Sequence, residues 1–113
     1  MKKLLLSIII AVYSYAGTFE ENARICEEYD DIATYFLGEM VKHEKAGNFE
    51  LLQRNGNVFL EMGQISVNAC KKVGIDEYDN TANYKQHTID FIRKYIADKY
   101  PTWDYTLKPR SRG

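Results

Sequence analysis

Apolar residues recur at helical spacing along most of the chain, in three runs separated by glycine-containing breaks. That pattern predicts an all-α protein. In the first run, Phe19 to Ala46, one face carries Phe19, Ala23, Cys26, Tyr29, Ile32, Ala33, Phe36, Leu37, Met40 and Val41. The other carries Glu20, Arg24, Glu27, Glu28, Asp31, Glu39, Lys42 and Lys45. Thr18 followed by Glu21 reads as a capping box that starts this helix. Gly47 supplies a left-handed stop and Asn48 a cap for the next helix.

The second run spans Phe49 to Val73. Asn55-Gly56-Asn57 resembles a turn, yet Leu52, Phe59, Met62, Gly63, Ser66, Ala69, Cys70 and Val73 carry one stripe straight past it. One helix is therefore expected. Gln53, Arg54, Asn57, Glu61, Gln64 and Asn68 should face outward, and the sevenfold spacing of Gly56, Gly63 and Cys70 should admit a neighbouring backbone. Gly74 ends this helix, and Ile75 to Asn80 read as a short acidic loop. A third helix from near Asn80 to Pro101 is expected to bury Tyr84, Thr88, Ile89, Phe91, Ile92, Tyr95, Ile96 and Tyr100. Beyond Pro101, Trp103, Tyr105 and Leu107 alternate with polar residues, which predicts an extended tail. The fold expected is an up-down-up three-helix bundle with a long antiparallel helical hairpin, one disulfide and an extended C-terminal tail.

The first sixteen residues follow a different grammar. Lys2 and Lys3 precede an apolar stretch, and Ser14-Tyr15-Ala16 places small residues where a signal peptidase reads. The stretch from Leu4 to Ala16 is shorter than the ~20 residues a membrane-spanning helix needs. The domains expected are a signal peptide at 1–16, a three-helix domain at 17–100 and an aromatic, basic tail at 101–113. Periplasmic or secreted location follows, with no stable membrane span after cleavage. Removing two of 15 basic residues leaves 13 against 16 acidic ones, a formal charge of −3. Such a balance gives no case for nucleic-acid binding.

Cys26 and Cys70 are the only cysteines, and an even count in an exported chain favours a disulfide. Cys26 lies 21 residues before Gly47 and Cys70 lies 23 after it, which at 1.5 Å per residue is roughly 31 and 34 Å from the turn. Antiparallel helices would bring the two to nearly the same level, both on the apolar face.

Candidate chemistry is sparse. Asp30 is the one charge within the apolar stripe of the first helix, and burial requires a partner for it. Lys85, Tyr84 and Thr88 reach its level if the third helix runs parallel to the first, so Asp30 and Lys85 are the buried polar candidates. Glu27, Glu28, Asp30 and Asp31 form an acidic knot with no matching ligand set on another helix. His43, four residues from Glu39, and His87 lack the repeated Glu-x-x-His of di-iron bundles. Phosphate loops and nucleophile elbows are absent. No enzyme, catalytic residue, metal site or cofactor is expected. Tyr95, Tyr100, Trp103 and Tyr105, with Arg110 and Arg112, are the candidate partner-binding residues, since aromatic and arginine side chains dominate binding hot spots. The same aromatic residues can instead fold back and plug the bundle end.

Ala69-Cys70-Lys71-Lys72 resembles the second-cysteine segment of the acid-stress chaperones of the HdeA/HdeB type, which also join two helices by one disulfide. The long first helix departs from their pattern. The run Lys94 to Pro101 resembles a helix end in immunity proteins that block cell-wall enzymes delivered between bacteria, but the further helix those proteins carry after the proline is missing. The function expected is non-catalytic binding of another protein, as inhibitor, immunity factor or envelope accessory, with a homodimer as a further candidate assembly. The alternatives are a periplasmic stress chaperone and a metal- or peptidoglycan-binding protein.

Overall fold

A computed structural model describes residues 2–109, with side chains from residue 18 onward. Three helices follow in order: α1 (Lys2–Lys45), α2 (Phe49–Val73) and α3 (Asp76–Lys99). There is no strand among the described residues. The segment expected to be a signal peptide enters α1 as helical backbone, and its side chains lie outside the described residues. Thr18 and Glu21 are therefore interior to a helix here, not the capped start expected of them, and Glu21 pairs with Arg24 at 3.2 Å.

The break after α1 has the predicted chemistry. Gly47 takes a φ of 70°, and the Asn48 amide reaches back to the His43 carbonyl at 3.0 Å, closing the helix in the manner of a Schellman cap. The Asn48 side chain then accepts from the Leu51 amide at 3.2 Å. α2 runs unbroken through Gly56 and stops at Gly74, φ 75°. The loop expected over Ile75 to Asn80 does not exist. Ile75 alone is extended, and Asp76, Glu77 and Asp79 form the first turn of α3. Acidic side chains are stabilised at a helix N-terminus by the partial positive charge of its free amides, so a cluster that reads as loop starts the helix instead.

The buried positions repeat every seven residues. On α1 they are Cys26, Ala33 and Met40, and along α3 and the tail Ala82, Ile89, Ile96 and Trp103; α2, covered on more than one side, buries a wider set in which Leu52, Phe59, Ser66 and Val73 keep the same spacing. This is the spacing of helices packed nearly side by side. The glycines of α2 lie in that seam, but they admit side chains and not a neighbouring backbone. A Cβ on Gly63 would lie 3.1 Å from Ile89 Cδ1, and one on Gly56 would lie 2.6 Å from Trp103 Cζ2.

Cys26 and Cys70 form the disulfide, their Cα atoms 4.8 Å apart. Next to it, buried Ser66 donates its hydroxyl hydrogen to the Cys26 carbonyl at 2.6 Å, which satisfies that hydroxyl inside the core.

α3 packs its backbone against α2 and meets α1 only through side chains. The burial expected of α3 therefore holds only in part. Ile89 and Ile96 are buried, whereas Tyr84 is 76% exposed and Phe91 65% exposed. Thr88 is half-buried. On α1, Phe19, Ile32 and Val41 likewise reach solvent. A helix resting on one neighbour hides a narrow stripe, so the flank turned toward α1 stays open.

The tail is neither helix nor strand. It doubles back over α2 in two turns, with the Trp103 amide bonded to the Tyr100 carbonyl and the Leu107 amide to the Asp104 carbonyl. Its seat is the side of α2 expected to face water. Trp103 Nε1–H donates to Asn57 Oδ1 at 2.8 Å, and Asn57 Nδ2 donates to the carbonyls of Asp104 and Leu107. Gln53 Oε1 accepts from the Asp104 amide at 2.8 Å. Arg54 donates to the Lys108 carbonyl, and Lys108 pairs with Glu61 at 2.9 Å. Gln53 and Asn57 are in consequence buried, because the tail that covers them also satisfies them.

Candidate protein-binding face between α1 and α3

The open flank between α1 and α3 is a groove with three crossings. Near the disulfide, the Tyr78 hydroxyl donates to Glu27 at 3.2 Å. One turn further, Lys85 Nζ lies 3.0 Å from Asp30 Oδ1. The carboxylate is half-buried, with Lys85 as its partner. At the far end Glu44 accepts from the hydroxyls of Tyr95 and Tyr100 at 2.8 and 2.7 Å, and Lys99 Nζ stands 3.3 Å away. These bonds, the Tyr100 hydroxyl first, hold the Glu44 carboxyl below the usual range. Lys99 is held above its own range, chiefly by its contacts with Tyr95 and Glu44.

Glu44 escapes a sequence reading because, although it follows Leu37 and Met40 at i+7 and i+4 on the apolar side, it falls in the last turn of α1, where a carboxylate reads as solvated. The usable signal was in the partners: Lys99 donates to the Tyr95 hydroxyl at 2.9 Å, so the hydrogen of that phenol must find an acceptor on another element.

Between the second and third crossings the groove is mainly apolar. A cavity of about 330 Å³ opens there, with Ala33, Leu37, Phe59, Gly63 and Ile89 among its lining and Tyr84 and Thr88 on its rim. Thr34, Gly38 and Val41 on α1 share the i, i+4, i+7 spacing of Tyr84, Thr88 and Phe91 on α3. Thr34, Tyr84 and Thr88 line the cavity and Val41 the far end of the groove, while Gly38 and Phe91 continue the two stripes on the exposed edge.

The candidate partner-binding residues do not form a single surface. Tyr95 and Tyr100 stand at the lysine-rich end of this groove. Trp103 is 7% exposed and belongs to the core. Tyr105 is exposed on the other side of α2, beside Arg93 and Lys108. Arg110 and Arg112 lie outside the described residues. The acidic knot is divided too: Arg24 takes Glu28 at 2.8 Å, Lys85 takes Asp30, and Glu27 holds Tyr78. His43 Nε2 is 3.8 Å from Glu39. Among the described residues no three His, Cys, Asp or Glu side chains are grouped to hold a metal ion, and no helix is long and apolar enough to cross a membrane.

Fold and face together define a class, an all-α disulfide-tied helical bundle with one open, aromatic-rimmed groove. Compared with known proteins, the chain matches no family model, no curated protein and no solved structure.

Proposed function

We propose that this is a small exported protein, periplasmic or secreted, that acts without catalysis by binding another protein across the α1–α3 face, as an inhibitor, immunity factor or envelope accessory. The observation that carries the reading is the exposure of Tyr84 and Phe91. Covering a large apolar side chain stabilises by about 1.5–3 kcal/mol, and the chain leaves both uncovered next to a groove. Rigid aromatic residues beside a pocket are what protein interfaces use as anchors. The signal-like N-terminus and the disulfide support export, since such bonds persist in oxidising compartments.

The experiment places a photo-crosslinking amino acid at Thr88 and identifies what it captures in the native envelope. A single predominant partner is expected, lost in a Tyr84→Ala/Phe91→Ala variant that keeps its melting temperature. Crosslinks unaffected by that variant would place the binding surface elsewhere. Intact mass of the exported protein adds the compartment test, with a chain beginning at Gly17 expected. A stress chaperone draws on the same exposed aromatic residues; capture of many unrelated unfolded proteins, in place of one, favours it.

A further inference from the structure

The α1–α3 face has opposite charge at its two ends. At the disulfide end stand Glu27, Asp31 and Glu77, all exposed, with Asp30 tied to Lys85. At the turn end stand Lys42, Lys45 and Lys99, all exposed, against Glu44 and against Glu39, 3.9 Å from Lys42. Exposed aromatic and apolar groups fill the middle. A face that is negative at one end, apolar in the centre and positive at the other is complementary to itself when turned end for end. We propose that in the isolated protein it is covered by a second copy of the chain, laid antiparallel about a two-fold axis.

Position supports the axis. On α1 the acidic pair Glu27 and Asp31 and the basic pair Lys42 and Lys45 centre near Leu37. On α3 Glu77 and Lys99 centre on Thr88. Leu37 and Thr88 flank the same apolar cavity, so one axis through it brings both sets of opposite charges together. It also sets Tyr84 of one copy near Phe91 of the other, an isologous arrangement in which each contact occurs twice.

Gly38 is a second, independent observation. It is exposed in the interior of α1, and a Cβ built on it would meet nothing within 4 Å. A glycine there costs the helix about 1 kcal/mol relative to alanine, and no contact among the described residues requires it. Beside Val41, on the wall opposite Phe91, it leaves a flat place where an incoming ring can lie against the backbone.

The size is adequate. With α3 24 residues long, the face measures about 36 Å by about 20 Å, or roughly 1,400 Å² counted over both copies, within the span of specific interfaces.

This inference rests on reading the α1–α3 face as a protein-binding surface and adds its occupant when no other protein is present. The test is sedimentation equilibrium of the disulfide-bonded protein with two charge-reversed variants, Glu27→Lys/Asp31→Lys and Lys42→Glu/Lys45→Glu. The unaltered protein should dimerise, less tightly at high salt. Each variant alone should dimerise at least about ten-fold more weakly, because like charges meet at both junctions. An equimolar mixture of the two variants should recover the dimer, since both junctions of the mixed pair are attractive. All four positions are exposed, so both variants should fold. Should either fail, Phe91→Ser serves as the second probe, with dimerisation expected to fall while the monomer's melting temperature holds. A protein that stays monomeric at about 100 µM, or a dimer indifferent to both reversals, or a mixture that fails to recover, overturns the proposal. The Thr88 crosslinks separate the two readings. A monomer that still captures a foreign protein keeps the binding function and sinks the dimer, and a dimer rescued by mixing that captures nothing foreign does the reverse.

Discussion

Gly56 and Gly38 are both helix-interior glycines, and their surroundings assign them opposite behaviour. At Gly56 an added methyl would meet the Trp103 ring at 2.6 and 2.7 Å and Met40 Cε at 3.0 Å. Gly56→Ala should therefore lower stability by about 1–3 kcal/mol, since an indole packed on three sides has nowhere to move. Gly38→Ala should raise it by about 0.5–1 kcal/mol through helix propensity alone. Denaturant titration at low protein concentration reads both signs. Glu44 gives a pH signature. Its carboxyl is held below its ordinary value by hydroxyl donors and Lys99, so its contribution is complete above that value and is lost as pH falls through the depressed one. Glu44→Gln should cost about 1 kcal/mol near neutrality and flatten the loss of stability as pH falls below the ordinary glutamate range. Loss equal in variant and parent would remove Glu44 as the cause. Residues of this kind were the least legible in the sequence. Glu44, Gln53 and Asn57 look like ordinary surface groups, and only the later part of the chain, folded against them, buries Gln53 and Asn57 and ties down Glu44.

At the level of elements, periodicity located α2 to the residue and both glycine stops, because those signals are local. What it missed depends on which element covers which. The polar side of α2 reads as solvated, yet it is the seat of the tail, and the apolar flank of α3 reads as buried although no helix covers it. The acidic run at Asp76 to Asp79 reads as a loop by composition and acts as a helix start by electrostatics. The two roles open to the tail lead to one stability prediction. A chain ending at Pro101 loses Trp103 and uncovers Asn57 and Gln53, and should be destabilised by about 3–5 kcal/mol, the range for removing a large buried aromatic side chain. Trp103→Phe keeps most of the packing and loses the bond to Asn57, so its loss should be nearer 1 kcal/mol. Thermal melts of both chains check the order. A truncated chain melting like the full one would show that the tail contributes nothing to the core.

For the whole molecule, the counting of residues about Gly47 placed the two sulfurs at one height, and that inference needed only the rise of a helix and an antiparallel turn. The bond closes a loop across 44 residues and should contribute about 2–4 kcal/mol. Unfolding with and without reductant measures it, and a Cys26→Ala/Cys70→Ala chain should behave like the reduced protein. The groove between α1 and α3 was not legible in the same way, because a helical wheel states that a face is apolar and not whether anything lies on it.

The pairing of Cys26 with Cys70 also bears on how the protein matures. A chain with two thiols has one intramolecular way to oxidise, so no scrambled monomer exists to be corrected. On the export reading proposed above, the second sulfur would become available only once nearly all of α2 had followed α1 through the exporting channel, which makes ring closure a late event. Recovery of native protein from the reduced, unfolded chain should accordingly track the supply of an oxidant and gain nothing from a disulfide isomerase.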